Sequence, residues 1–265
     1  MDFKLFYNLS FNPFEKGTDD ICIDTIDYRE IQGRLNYLKE TKGIGLFTGN
    51  SGVGKTYTIK KFCESLNPGL YKVIYMPMST LTNNEFYKLL SVELGLELKY
   101  KKIDNYRQIQ DCITRMVKEK RITPVIILDE AQYLRTDILN DLKIIFNFDF
   151  DSKNYAIIVL LGLPNLVNIL NKSIHDALKQ RITIQYQIIG LDENEIPLYI
   201  DNKLKKANCL NKIFDDSAIN ALSNICQGSL RKLNNILTKA LIIGANQNKQ
   251  LIDNEIIMVA SNEII

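Results

Sequence analysis

The chain has 265 residues, 46% of them hydrophobic and 24% charged, an ordinary globular composition with length for one domain and part of a second. Its five cysteines, at 22, 63, 112, 209 and 226, are scattered and odd in number, which supports neither a disulfide framework nor a zinc site. A net charge of +2 makes no case by itself for nucleic acid. The longest apolar stretch, Tyr155 to Leu163, is too short to span a bilayer, and the first residues lack a signal peptide's apolar core. A soluble cytoplasmic protein with no membrane partner is expected.

Residues 6–14, from Phe6 to Phe14, form an aromatic arm ahead of any regular element. Such an arm can fold back over a bound base, or simply anchor the N-terminus. Thr25 to Thr41 reads as a helix, with Ile31, Leu35 and Leu38 at helical spacing. Ile44 to Thr48 is a short apolar strand.

Gly49-Asn50-Ser51-Gly52-Val53-Gly54-Lys55-Thr56 follows, and the chain is organised around it. The pattern is GxxxxGKT, set between a strand and a helix, the context a phosphate-binding loop needs. Its glycines let the backbone curl so that several N–H groups face one anion. The helix beginning near Lys55 adds its positive end. Lys55 is expected to reach the β- and γ-phosphates of ATP, and the Thr56 hydroxyl to ligate Mg²⁺. Residues 49–56, with Tyr57 beside them, are the candidate cofactor-binding set.

Tyr71 to Pro77 alternates as a strand and stops at proline. Thr82 to Leu94 is a helix, N-capped by Thr82 or Asn83 and stopped by Gly95. Residues 99–121 carry eight basic residues against three acidic ones, with Tyr100 and Tyr106 interleaved. Lys99, Lys101 and Lys102 are candidate duplex DNA contacts without sequence preference; a solvated helix face is the competing reading. Tyr106 to Lys120 is read as the helix of this stretch.

Pro124 to Leu128 is an unbroken apolar run ending in Asp129 and Glu130. Such a run suits a central parallel strand, and acids at its carboxyl end stand where open α/β sheets bind ligands. Asp129 is the expected metal residue, directly or through water. Glu130 is expected to polarise the water that attacks the γ-phosphate. Ile138 to Phe146 is a helix, Tyr155 to Leu161 a buried strand, Leu166 to Arg181 mostly helical, and Ile182 to Ile188 an alternating strand. Arg181 is placed to meet a neighbouring subunit's γ-phosphate, or to satisfy a helix C-terminus. His175, the single histidine, is read as a surface residue with no role.

After Gly190 only helical patterns remain: Glu193–Ala207, Asp216–Cys226, Ser229–Ala245 and Asn254–Asn262. Arg231 opens one of them, either as a reporter of the γ-phosphate or as a solvated side chain. Alternating strands and helices followed by helices alone give an α/β fold with a central parallel sheet between helices and a small all-helical lid. The expected domains are 1–190, a nucleotide-binding core with its aromatic arm, and 191–265, the lid.

The YNLSFNPF arm, GNSGVGKT, IILDEAQYL, IVLLGLPNL, ALKQRITIQYQI and GSLRKLNN together resemble an AAA+ ATPase of the ExeA (GspA) type. The resemblance implies Arg181 as arginine finger and Arg231 as sensor 2. The fourth strand of such proteins usually leads to a polar sensor 1 residue, whereas Leu163 stands there, with Asn165 displaced. The secretion members carry a membrane segment and a cell-wall-binding domain. Short soluble relatives resemble the ATPase helpers of transposases. That implies an ATP-dependent homo-oligomer on DNA that regulates transposition through a transposase, with slow hydrolysis stimulated by assembly or DNA. Secretion or envelope assembly, replication initiation or helicase loading, and a nucleotide-gated scaffold are the alternatives.

Overall fold

The computed structural model describes residues 2–15, 17, 24–77, 80–149 and 153–263; Cys22 lies outside them. The described residues group into two units, one of Glu30–Asn50 and Lys55–Ile188, the other of Met1–Arg29, Ser51–Gly54 and Ile189–Ile265.

The first unit is built on a five-stranded parallel sheet in the order β2-β3-β4-β1-β5. Its strands are β1 (Gly43–Gly49), β2 (Tyr71–Met76), β3 (Thr123–Leu128), β4 (Ile157–Gly162) and β5 (Ile182–Ile188). The interior strands are the continuous apolar runs: every residue of β1 and β4 is buried, as is β3 beyond Thr123. The edge strands β2 and β5 alternate buried with exposed positions. In a parallel sheet every carboxyl end faces the same way, so Gly49, Leu128 and Gly162 finish along one edge.

Helices α2 (Ile26–Thr41), α3 (Lys55–Ser65), α4 (Asn83–Leu94), α5 (Lys102–Lys118), α6 (Thr136–Ile145), α7 (Asn165–Leu170) and α8 (Asp176–Lys179) flank this sheet. Helix α4 starts in a reciprocal capping box between Thr82 and Glu85 and ends at Gly95 in the left-handed region. Helix α5 begins at Lys102, four residues before the expected Tyr106. The cause is Asn105, fully buried, which donates to Lys99 O at 2.9 Å and accepts from Lys99 N at 3.1 Å, closing the preceding loop.

Leu166–Arg181 is not one helix. It breaks into α7, a 3-10 turn at Ser173–His175, and α8. His175 is not a surface residue either: it is 1% exposed, and its Nδ1 lies 3.2 Å from Asn140 Oδ1. Burial, and then the charge of Lys172, holds its pKa below the usual value. The histidine sits in the 3-10 turn after the break, facing Asn140 of α6.

The second unit contains α1 (Phe3–Phe6), α9 (Glu195–Lys206), α10 (Asp216–Cys226), α11 (Leu230–Asn246) and α12 (Asn254–Asn262). Asp215, Ser229 and Asp253 cap the last three helices with side-chain oxygens. The aromatic arm belongs to this unit rather than to the sheet. Tyr7, Leu9 and Phe14 are buried among Leu204, Phe214, Leu237 and Leu241, and Phe14 meets Phe214 edge-on at 6.4 Å. The Tyr7 hydroxyl donates to Lys249 O at 2.8 Å. The arm is thus a hydrophobic anchor, one of the two readings its sequence allows.

Candidate functional site

At the end of β1 the chain turns through Gly49 and Asn50, and α3 begins at Lys55. The Lys55 side chain is buried and curls back, donating from Nζ to Gly49 O at 2.8 Å and to Asn50 O at 2.9 Å. The loop's own carbonyls therefore hold the ammonium beneath the turn. Thr56 follows on the first turn of α3, and its hydroxyl donates to Asp129 Oδ2 at 2.9 Å. Tyr57, half-buried, lies 5.7 Å beneath the Lys61 ammonium.

Asp129 is 4% exposed just past β3, and both carboxylate oxygens are engaged. Oδ1 accepts from Glu130 N at 2.8 Å. Oδ2 accepts from Thr56 and also from the Tyr75 hydroxyl at 2.7 Å. Burial, then the Asp129 hydrogen bond and the charges of Asp129 and Glu130, push the Tyr75 pKa well up, so this phenol stays a donor. Tyr75 is the last residue but one of β2, which pairs with β3 in the sheet. Sequence reasoning missed it, because only the strand order makes it a neighbour of Asp129.

Glu130 has φ 54° and ψ 38°, the left-handed region, and its carboxylate is exposed at the end of the sheet. Gln132, two residues on, is buried and donates from Nε2 to Glu130 Oε2 at 2.7 Å. Its Oε1 accepts from Leu163 N at 3.0 Å, just past β4. Nothing in the residue type marked Gln132; its place two residues after the acid pair was the available signal. Thr48, beside Gly162 in the β1–β4 register, is 1% exposed, and its hydroxyl has no hydrogen-bond partner among the described residues.

The loop's middle segment, Ser51–Gly54, groups with the helical unit. Gly52 and Gly54 have φ of +83° and +96°, conformations that side-chain-bearing residues rarely adopt. A methyl on Gly52 would lie 2.7 Å from Ser229 Oγ and 2.8 Å from Arg231 Cβ. Arg231 opens α11 and is bonded to this segment twice: its Nη1 donates to Ser51 Oγ at 3.1 Å, and its backbone N donates to Gly52 O at 3.2 Å. Ser229 donates to Ser51 O at 3.4 Å. Val53 is buried. Arg231, a sequence candidate, is therefore attached to the predicted loop.

Arg181 is not brought to these groups within one chain. It precedes β5 at the amino end of the sheet, the edge opposite Gly49 and Gly162, and donates from Nη1 to Lys143 O at 3.1 Å. The basic stretch is partly paired. Lys99 bonds to Glu97 at 3.2 Å, and Lys102 makes an ion pair with Asp141, while Tyr100 is 89% exposed and Lys101 is exposed.

Among the described residues no group of three or more metal-ligating side chains occurs, and no helix is long and apolar enough to cross a membrane. Oxygen ligands for a hard divalent ion are nevertheless available in Thr56 and Asp129.

Comparison with solved structures finds the same fold in known proteins. Cdc6p from Pyrobaculum aerophilum aligns with a TM-score of 0.70 at 15% identity, over 96% of this chain and 70% of that one. The Aeropyrum pernix ORC1 protein in complex with DNA gives 0.67 at 16%, over 97% and 69%. Drosophila ORC bound to DNA gives 0.67 at 14%, over 98% and 65%. At such identities the likeness is one of fold. General secretion pathway protein A of Aeromonas hydrophila is 28% identical over 98% of this chain and 48% of its own length, so the chain spans about half of that relative. The family model described as AAA domain matches residues 38–170, from the end of α2 to the end of α7. That stretch is half of the chain, and it contains the glycine loop, Asp129 and the four interior and edge strands before β5, so this chain belongs to the AAA domain family.

Proposed function

We propose that this chain binds ATP with Mg²⁺ and hydrolyses it to ADP and phosphate. The observation that carries this reading is the 2.9 Å contact between Thr56 and Asp129 at the carboxyl edge of the sheet, with Glu130 next in line. A hydroxyl and a buried carboxylate converge where a hard cation would be held, directly or through water. Mg²⁺, when bound, supplies charge neutralisation between the phosphates.

The chain's own groups do the rest. Lys55 leaves the carbonyls of Gly49 and Asn50 to meet phosphate oxygens as a point charge. The amides of residues 49–56 orient the phosphates. Glu130 takes the proton of the attacking water. Arg231 reports the γ-phosphate from the start of α11. Of the proposed core, residues 1–190, the sheet-bearing part acts on the nucleotide, and 191–265, with the N-terminal arm packed among them, act as its lid. Arg181 serves in trans, in an ATP-dependent homo-oligomer, which fits its place on the opposite edge of its own sheet.

For the work done with that energy, we favour non-specific duplex DNA as the surface on which the oligomer assembles. Support comes from the basic stretch at 99–121 and from two relatives by fold whose structures are described with DNA. The helper-type resemblance of the sequence names regulation of transposition, through a transposase, as the process. Replication initiation draws on the same relatives by fold. A secretion or envelope-assembly role with protein partners is the second reading, favoured by the identity to General secretion pathway protein A.

Fluorescence anisotropy of a labelled duplex across a salt series, with and without ATP, tests the choice. The DNA reading expects ATP-dependent binding whose log–log salt slope is about −0.9 per phosphate contact. It also expects weakening by the triple substitution Lys99→Glu, Lys101→Glu, Lys102→Glu. Absence of ATP-dependent binding at low salt shifts the assignment to protein partners.

A further inference from the structure

We infer that Gln132 is the positioning residue of the hydrolytic carboxylate, anchored in turn by the backbone N–H of Leu163. The inference rests on the reading of Glu130 as the base.

Glu130 begins with a handicap. Its side chain is exposed, and a solvent-exposed carboxylate samples several rotamers, only one of which aims an oxygen at the attacking water. Near-attack geometry is what a positioned base supplies, and small misplacements cost large factors in rate. Two devices restrict it here. Its backbone sits in the left-handed region, with its carbonyl accepting from Tyr133 N at 3.0 Å. Its carboxylate is held at Oε2 by the Gln132 amide at 2.7 Å.

The amide is itself held at both ends. It is 7% exposed, and its other end accepts from Leu163 N at 3.0 Å. A glutamine can bridge in this way because it carries a donor and an acceptor on one rigid plane. The notch that receives it is cut by Gly162: a methyl there would lie 2.8 Å from Gln132 Oε1. The end of β4 is thus tied to the base through one planar group, although residue 163 carries no polar side chain. Thr48, paired with Gly162 in the register, turns to the same face of the sheet, because directly opposed residues of adjacent strands do so. Its hydroxyl adds a polar atom to this corner.

A double-mutant cycle in the full-length protein separates positioning from structural support. Gln132→Met keeps chain length and removes the amide. Gln132→Glu keeps an acceptor for Leu163 N–H and sets a carboxylate against Glu130. Steady-state Mg-ATP hydrolysis and ATP affinity are measured for both, alone and in a Glu130→Gln background, with thermal unfolding as a control on folding. We expect kcat to fall about 10- to 100-fold in each single variant, more in Gln132→Glu, with ATP affinity within about twofold of wild type. In the Glu130→Gln background the second substitution should change nothing further, because the group it positions is gone.

Wild-type or raised kcat in Gln132→Met, or an equal loss in both backgrounds, overturns the inference. If Gln132→Met does not fold, the isosteric Gln132→Glu decides alone by the same cycle. Wild-type hydrolysis by Glu130→Gln itself would instead sink the parent reading of Glu130.

Discussion

The Thr56 hydroxyl donates to Asp129 Oδ2 at 2.9 Å across 73 residues of sequence, and the Tyr75 hydroxyl reaches the same oxygen at 2.7 Å. One carboxylate oxygen thus collects a donor from the helix after the glycine loop and another from the neighbouring strand. Partners that orient a metal-binding carboxylate typically change metal affinity when removed. Tyr75→Phe should raise the Mg²⁺ concentration for half-maximal ATP hydrolysis about tenfold while leaving ATP binding in EDTA unchanged. An unshifted Mg²⁺ titration would mean that Thr56 alone sets the carboxylate.

Phe14 tests the arm. It is 3% exposed and stacked edge-on against Phe214. Truncation to alanine should cost about 3–5 kcal/mol of stability, read by denaturant unfolding, as for other buried aromatics. ATP affinity of the folded variant should not change. A variant of full stability that loses ATP affinity would return the arm to a role over the nucleotide base.

The Tyr7 phenol is pushed up to about 12 by burial. Its proton is retained in the folded state after an unfolded tyrosine, near 10.0, has lost its own. The contribution of this group to stability is therefore full below pH 10 and is lost as pH climbs from about 10 to about 12. Tyr7→Phe should flatten the alkaline limb of a stability-versus-pH curve in that window. An identical limb in both proteins would assign the alkaline loss to other groups.

Much of this was legible in the chain. Strands β1, β3 and β4 announced themselves as unbroken apolar runs, because interior parallel strands are covered on both faces. The loop at 49–56 and the acids at 129–130 carried their own context. Thr82 and Gly95 marked both ends of α4, since capping is local chemistry. Tyr75 and Gln132 were not legible, because each acquires its partner through strand order and through the turn after β3. His175 was misread because no acid or nucleophile pattern surrounds it in sequence, while its buried partner Asn140 lies 35 residues away. The arm's burial against Phe214 and α11 is a contact between the two ends of the chain, which no sequence window contains.

Arg181 points to a test of assembly. Its guanidinium bonds to Lys143 O at the amino edge of its own sheet, away from Asp129. If it completes a neighbour's site, mixing Arg181→Ala with Glu130→Gln subunits should restore part of the hydrolysis that each lacks alone. Interfaces that join an intact base to an intact arginine are whole. Hydrolysis independent of protein concentration, in a species that stays monomeric with ATP, would place the arginine's role in the α6–β5 contact instead.

Lys55 bears most directly on nucleotide binding, because its ammonium is the cation held inside the glycine loop, 2.8 Å from Gly49 O and 2.9 Å from Asn50 O. Isothermal titration of Mg-ATP into the wild-type protein, Glu130→Gln and Lys55→Ala compares the three directly. Wild type and Glu130→Gln should bind alike, since metal ligands and loop remain, and Lys55→Ala should show no measurable binding while unfolding at the wild-type temperature within a few degrees. Wild-type affinity in Lys55→Ala would contradict the assignment of residues 49–56 as the phosphate site.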